Sequence, residues 1–270
     1  MRLRVVTLNL WNEQGPHAAR VELCARLFGR LAPDLVALQE VRERPGAVPN
    51  QAAVLAERLG MRHVFTPVAE WGGGLEGLAL LSRHPIREHA SQALPDPESL
   101  GPRRVLAATV DTPAGAIAFA TTHLAYPLAA GVTREAQVVA TDAFARAQPS
   151  DGVRFLCGDL NAAPDTDEIR FLRGLTTLAG RRTVWQDAFV RAQEREPGIT
   201  WSARNVYTAA VAHIDLERRI DYVLVSPRTR DGRAVVSDAR VVLDAPDDSG
   251  VWPSDHFGVL ADVEVGGPRG

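Results

Sequence analysis

The stretch Phe155-Leu156-Cys157-Gly158-Asp159-Leu160-Asn161-Ala162-Ala163-Pro164 decides how the rest of the chain is read. Its first four residues are mostly apolar and predict a buried strand, Gly158 loosens the end of that strand, and Pro164 forbids further pairing. A carboxylate and an amide, Asp159 and Asn161, therefore emerge at a strand's carboxyl edge. In α/β proteins such edges collect functional groups, because the strand interior is rigid and the following loop is open to ligand.

Outward from this stretch, other strands end in the same way. Leu3 to Leu10 predicts a strand whose last residues include Asn9. Val21, Cys24, Leu27, Phe28 and Leu31 then form a helical apolar stripe, with Arg20, Glu22, Arg26 and Arg30 mainly on the other faces and Pro33 as the stop. Asp34 to Glu40 is a near-continuous apolar strand ending in a carboxylate. The β-α-β order implies a parallel pair, which puts Asn9 and Glu40 at one edge. Ala52 to Leu59 suits a helix closed by Gly60, and Gly72-Gly73-Gly74 reads as a flexible loop before Glu76, with a strand from Gly77 to Ser82.

Pro85-Ile86 starts another extended piece, and Arg103 to Asp111 pairs with Ala116 to His123 across the turn residues Thr112 to Gly115, so His123 ends a hairpin. A helix from Thr133 to Gln148 precedes the Phe155 strand, and Asp165 with Glu168 reads as a helix cap. Ile169 to Leu175 and Val184 to Gln193 have helical spacing. Arg219 to Val225 is a strand with Asp221 near its start, and strands from Val235 to Leu243 and from Gly258 to Val265 flank the loop Trp252 to Phe257. A single domain over 1–265 with a flexible tail at 266–270 is expected.

Composition narrows the function classes. A hydrophobic fraction of 46% over 270 residues supports one sizeable core. All 30 basic residues are arginine and the formal net charge is -3, so no global basic field draws in polynucleotide at long range. The two cysteines, Cys24 and Cys157, sit in apolar patterns and read as buried unpaired thiols, which fits a reducing cytosol. The amino terminus reads as a first strand rather than a secretory leader. From Val105 to Val132, Asp111, Pro113, His123 and Pro127 interrupt the apolar run before it reaches spanning length, so stable membrane association is not expected.

Asn9, Glu40, Asp159, Asn161 and Asp255 form an oxygen-donor set without a cysteine or paired-histidine motif, which suits a hard divalent cation, Mg²⁺ or Mn²⁺, rather than structural zinc. His123 and His256 add imidazoles able to move protons near neutral pH. Carboxylates, cation and imidazoles together favour hydrolysis of a phosphate ester.

These residues lie in blocks that resemble the endonuclease/exonuclease/phosphatase superfamily, which includes deoxyribonucleases, abasic-site endonucleases, neutral sphingomyelinases and inositol polyphosphate 5-phosphatases. The blocks are Thr7 to Trp11, Leu38 to Val41, Gly77 to Arg83, Thr122 to Leu124, Gly158 to Asn161, Arg219 to Tyr222 and Ser254 to Phe257, in the family's order along almost the whole chain. The resemblance implies a four-layered α/β/β/α sandwich: two mixed sheets packed face to face, helices outside and the site at one edge. It implies Glu40 as main metal ligand, with Asn9 and Asp255 assisting at the same or a second site. Asp159 would activate the attacking water and Asn161 would hold it or a phosphate oxygen. His256, supported by Asp221, would contact the phosphoryl group, with the roles of Asp159 and His256 as general base open to exchange. His123 would stabilise charge or assist the leaving group with Glu76 as its carboxylate partner. Histidine at 123, where the abasic-site branch has tyrosine, places the chain nearer the deoxyribonuclease and sphingomyelinase branches.

The expected activity is hydrolysis of a phosphodiester by a monomer. A DNA or RNA nuclease is the alternative, followed by a phospholipid phosphodiesterase and a non-catalytic binding module. Arg42, Arg103, Arg104 and Asn205 are candidates for substrate phosphate, although the arginine-only composition favours a solvated face for each arginine. His17, His63, His84, His89 and His213 carry no supporting pattern. Trp71, Trp201 and Trp252 fall in expected loops and suit either a pocket wall or rim packing.

Overall fold

Two helical crossovers set the architecture, because parallel neighbours in a sheet require a long connection. The strand β1 (Arg2–Asn9) runs through α1 (His17–Leu31) into β2 (Leu35–Glu43), which lies parallel to it with Asn9 opposite Gln39. Further along, the antiparallel hairpin β6 (Arg104–Thr112) and β7 (Gly115–His123) leads through α3 (Gly131–Ala147) into β8 (Arg154–Asp159), again parallel, with His123 opposite Asp159. Each pair forms the middle of its own sheet. The computed structural model describes residues 1–193, 195–208 and 217–266, so His213 and the tail residues 267–270 lie outside the described residues.

The remaining elements are α2 (Gln51–Leu59), β3 (Arg62–Trp71), β4 (Gly74–Ser82), β5 (Ile86–Ala93), α4 (Asp167–Leu172), β9 (Gln186–Asp187), α5 (Ala188–Ala192), β10 (Asp221–Val225), β11 (Val235–Val242) and β12 (Gly258–Glu264). One six-stranded sheet has the order β11-β12-β1-β2-β4-β3 and the other β5-β6-β7-β8-β10-β9, each with a single parallel pair. Their inner faces meet through Val5, Leu35 and Ala37 on one side and Phe119, Phe155 and Val223 on the other. Cys24, Phe28 and Leu55 of α1 and α2 cover the first sheet on Val6, Leu8 and Val36, while Val138, Ile169 and Phe171 of α3 and α4 cover the second on Leu156 and Leu224. The architecture is the expected four-layered sandwich. Full burial of a side chain such as Phe155 or Leu35 contributes about 1.5–3 kcal/mol, so these three apolar layers supply the main driving force.

Several local expectations need correction. The stretch before Gly72 is a strand, β3, half-exposed along its length and interrupted by Pro67, which hides the alternation that marks a strand. Gly72 and Gly73 (φ +54° and +72°) make the tight turn of a β3-β4 hairpin, so Glu76 stands on a strand rather than in a flexible loop. Strand β2 does not stop at Glu40 but continues to Glu43. Neither Asp165 nor Glu168 caps α4: Thr166 occupies that position, and Glu168 turns inward to a buried ion pair with Arg134 at 2.8 Å. The expected helix from Val184 shortens to α5, because Gln186 and Asp187 pair with β10 and the Asp187 carboxylate meets Arg219 at 2.8 Å.

Both cysteines are buried and free, with burial pushing the thiols up, that of Cys24 to about 12. No helix among the described residues is long and apolar enough to cross a membrane.

Candidate active site

The carboxyl ends of the two parallel pairs face one another at one end of the sandwich, and the sheets are tied together just beneath. There the buried Gln39 amide donates to Thr121 Oγ1 of the opposite sheet at 2.9 Å and to Thr7 Oγ1 at 3.1 Å. This bridge sets the distance between the strand ends above it.

Two departures from regular strand geometry then aim the functional groups. In β2 the register against β4 slips between Leu38 and Val41, and Glu40 within that bulge has φ +51°, a left-handed conformation that is costly for a residue with a Cβ. The bulge turns the Glu40 carboxylate toward Asn9 and Asn12, whose Nδ2 groups donate to its two oxygens at 3.1 and 2.9 Å. In β8, Gly158 has φ +141°, and a Cβ there would meet the Thr122 carbonyl oxygen at 2.0 Å. Glycine is therefore required for the close approach that brings Asp159 opposite His123.

Asp159 Oδ2 is the point of convergence. It accepts from Asn9 Nδ2 at 3.1 Å and lies 3.4 Å from His123 Nε2 and 3.8 Å from His256 Nε2. Its other oxygen accepts the Asn161 main-chain N–H at 2.9 Å, and Asn161, itself at φ +48°, donates its side-chain amide to the Leu124 carbonyl at 3.2 Å. Tyr222 fastens the loop beyond through its hydroxyl, which donates to the Ala162 carbonyl at 2.7 Å. His256 donates from Nδ1 to Asp221 Oδ2 at 2.9 Å, and the second Asp221 oxygen is buried without a partner among the described residues. The Ser254 hydroxyl donates to the Asn9 carbonyl at 2.6 Å and lies 3.1 Å from Asp255 Oδ1.

The electrostatics follow from this packing. Burial, together with the neighbouring charges of Asp255 and Glu76, pushes Glu40 up to about 7. Burial likewise raises Asp159 to about 6, against the opposing pull of His256, and it also raises Asp255. Burial disfavours the charged His256 ring, but Asp221, Asp255 and Asp159 outweigh it and raise its proton affinity well above the ordinary value. His123 goes the other way: burial and the charges of Arg103 and His256 hold it well below, so its ring is neutral.

The described residues hold no His123–Glu76 pair. The carboxylate beside His123 is Asp159, whereas Glu76 accepts from Trp71 Nε1 at 3.1 Å and faces Glu40. Burial raises Glu76 too. Arg42 does not lie on a solvated face, and the Asn205 amide is engaged by the main chain. Arg42 is fully buried, meets Glu13 at 3.3 Å and lies 3.8 Å beneath the Trp71 ring, and Asn205 donates to the Ser254 and Asp255 carbonyls at 2.7 and 3.1 Å. The exposed face assigned to Arg20 is also wrong. Its guanidinium is buried and donates to five main-chain carbonyls, those of Leu10, Trp11, Asn12, Gln14 and Pro253, tying together the loops that carry Asn9 and Asp255. No sequence signal marks an arginine for that purpose, whereas Asn12, three residues after Asn9 and beyond a strand end, could have been read with it.

Glu40, Asp255, Asn9 and Asn12 fit a hard divalent cation. They supply oxygen ligands, the charge of Asp255 raises the proton affinity of Glu40, and among the described residues no arginine pairs with Glu40 and Asn12 Oδ1 is buried without a partner. Asp159, Asp221 and His256 also bring donor atoms within 4.8 Å of one another, but the His256–Asp221 bond already pairs two of them, which suits proton handling. The groups open on a groove of about 580 Å³ walled by Trp11, Tyr126, Leu128, Trp201 and Ile220.

The sequence pattern of the Endonuclease/Exonuclease/phosphatase family matches residues 6–256. No curated protein sequence matches the chain. Among solved structures, an endonuclease/exonuclease/phosphatase from Beutenbergia cavernae is similar at 25% identity, covering 98% of this chain and 72% of that one with a TM-score of 0.73. TDP2 of D. rerio complexed with single strand DNA product is similar at 19% identity, covering 98% and 99% with a TM-score of 0.77. A functionally unknown conserved protein from Enterococcus faecalis gives 21% identity, 97% and 100% coverage and a TM-score of 0.74.

Proposed function

The chain belongs to the Endonuclease/Exonuclease/phosphatase family, which includes phosphoesterases and nucleases, and from that premise we propose that it is a divalent-metal-dependent hydrolase cleaving a phosphodiester by water attack. The observation that carries this reading is the convergence on Asp159 Oδ2 of Asn9, His123 and His256, with Asn9 also bound to Glu40.

Phosphoryl transfer demands positive charge around the reacting phosphate and a base for the attacking water. Glu40, Asn9 and Asp255, with Asn12 beside them, would hold Mg²⁺ or Mn²⁺, which when bound supplies a Lewis acid against the developing negative charge. Asp159, raised toward neutrality by burial, is a competent acceptor for the water proton. His256, kept protonated by its three carboxylate neighbours, donates from Nε2 to a non-bridging phosphoryl oxygen, and Asp221 holds its tautomer through Nδ1. This favours Asp159 over His256 as base. Asn161 positions the water, and the neutral His123 donates a hydrogen bond to the phosphate or the departing oxygen. Glu76 acts less directly, by accepting from Trp71 Nε1. The apolar lining of the groove suits the ester substituents of a diester.

A nuclease is the second reading, favoured by likeness to a TDP2 complexed with single strand DNA product. A monomer in the cytosol completes the proposal, consistent with the buried free thiols. Hydrolysis of bis-p-nitrophenyl phosphate with Mg²⁺, Mn²⁺ or EDTA, beside an Asp159→Ala control, tests the class. Metal-dependent cleavage lost in the variant is the expected result. Plasmid nicking then separates nuclease from small-substrate diesterase, and tight partner binding without turnover of any phosphoester would instead indicate a binding module.

A further inference from the structure

Arg103 differs from the other inward-facing arginines of this chain. Arg4, Arg42, Arg134 and Arg219 each meet a carboxylate within 3.3 Å. Arg103 is half-buried immediately before β6, its main-chain carbonyl fixed by Leu94 N–H at 2.9 Å, yet its guanidinium has no hydrogen-bond or carboxylate partner among the described residues. A half-buried guanidinium that no carboxylate pairs is available to an anionic ligand. The recess it lines also holds His123, Glu76 and Glu40, so it borders the hydrolytic centre. Its charge is felt there, being one cause of the low proton affinity of His123.

The guanidinium lies 5.9 Å from the centre of the Tyr126 ring. Tyr126 follows His123 by three residues and is 64% exposed, with Leu128 beside it at 58%, and both line the site groove. An aromatic ring left this open on a groove wall offers a face for stacking. The cation lies over one face of a ring that is otherwise open to the groove, and the pair matches a base followed by a phosphate one unit from the scissile one.

We propose that Arg103 and Tyr126 form a nucleotide subsite beside the hydrolytic centre, in which the ring stacks on a base and the guanidinium takes the phosphate adjacent to the scissile phosphodiester, so that the substrate is an oligonucleotide. The proposal rests on the hydrolase reading above and narrows it. A phosphocholine diester such as sphingomyelin carries one phosphate and no planar base, and would leave both groups unused.

The test compares thymidine 5′-(p-nitrophenyl phosphate) with the same ester bearing a 3′-phosphate. The intact protein should prefer the second by about tenfold in kcat/KM, expressed mainly in KM, as expected for one charge-assisted contact. Arg103→Gln should bring the ratio to about one, and added salt should weaken it in the parent. Tyr126→Ala should cut kcat/KM for the thymidine ester about fivefold more than for methyl p-nitrophenyl phosphate. Calorimetric titration with thymidine 3′,5′-bisphosphate against thymidine 5′-phosphate reads the same preference without turnover. Equal use of the two esters by the intact protein, or a preference that survives in Arg103→Gln, overturns the subsite while leaving the hydrolase standing. Cleavage of bis-p-nitrophenyl phosphate but of neither thymidine ester overturns it as well. Failure on every phosphoester, together with no calorimetric preference, removes both readings.

Discussion

The two ends of the same central strands treat their charges in opposite ways. Strand β1 begins beside Arg4, whose guanidinium donates to both Asp262 oxygens at 2.8 Å and to the Leu31 carbonyl at 2.8 Å, while its main-chain N–H meets Asp34 at 2.7 Å. Hydrogen bonds and charge from Arg4 hold Asp262 below the usual carboxylate range. Strand β1 finishes at Asn9, among Glu40, Asp159 and Asp255, where burial pushes all three carboxyls up and no arginine among the described residues pairs with Glu40. One end satisfies itself and holds the sandwich together. The other is left short of positive charge, which is what a site awaiting a cation and an anionic substrate requires.

The sharpest way to break this contrast is Asp159→Asn. It should lower kcat for a diester by about 10²–10⁴-fold, the usual reach of a general base, while circular dichroism and the melting temperature show an intact fold. A variant retaining ordinary activity would deny the site end its role. Glu40→Gln should weaken Mn²⁺ binding by about 10–100-fold, measured by calorimetry, taking ligand losses at comparable sites as the guide. Asp221→Asn should move the alkaline limb of the pH–rate profile to lower pH. His256 owes its high proton affinity largely to Asp221, so the protonated ring is lost earlier without it.

The comparison also makes a signed statement about pH and stability. At the site end the folded-state values lie above the unfolded ones. Their contribution is fully present below about pH 4 and is lost as pH rises toward 6 for Asp159 and 7 for Glu40. Urea titrations in EDTA should therefore show stability declining across that window, with Mn²⁺ reversing the decline. At the far end the sign is reversed: the Asp262 contribution is present above its unfolded value and lost as pH falls through a lower folded value. Asp262→Asn should cost about 1–2 kcal/mol near neutral pH, less than a fully buried charge-assisted pair because Arg4 is 23% exposed, and diester turnover should be unaltered. This is the smallest effect and the cleanest control for the larger ones.

Sequence alone determined the strand succession, the outer helices and the residue types that gather at one edge. Apolar runs of strand length and helical stripes are local signals, and Asn9, Glu40, His123, Asp159, Asn161, Asp221, Asp255 and His256 stand at or near the ends of such runs or in the loop between the last two strands. Where local signals faded, the reading failed: β3 was hidden by exposure and Pro67, and Val184 to Gln193 kept helical spacing although Asp187 is drawn to Arg219. Only the tertiary structure decided which carboxylate meets which imidazole, that Glu40 reaches the site through a bulge at positive φ, and that Arg20 and Arg42 lie buried while Arg103 lines the recess beside His123 and Glu40. Those outcomes depend on cross-sheet distance, strand register and loss of solvent, which arise from residues 35 to 233 positions apart and leave no trace in the spacing along the chain.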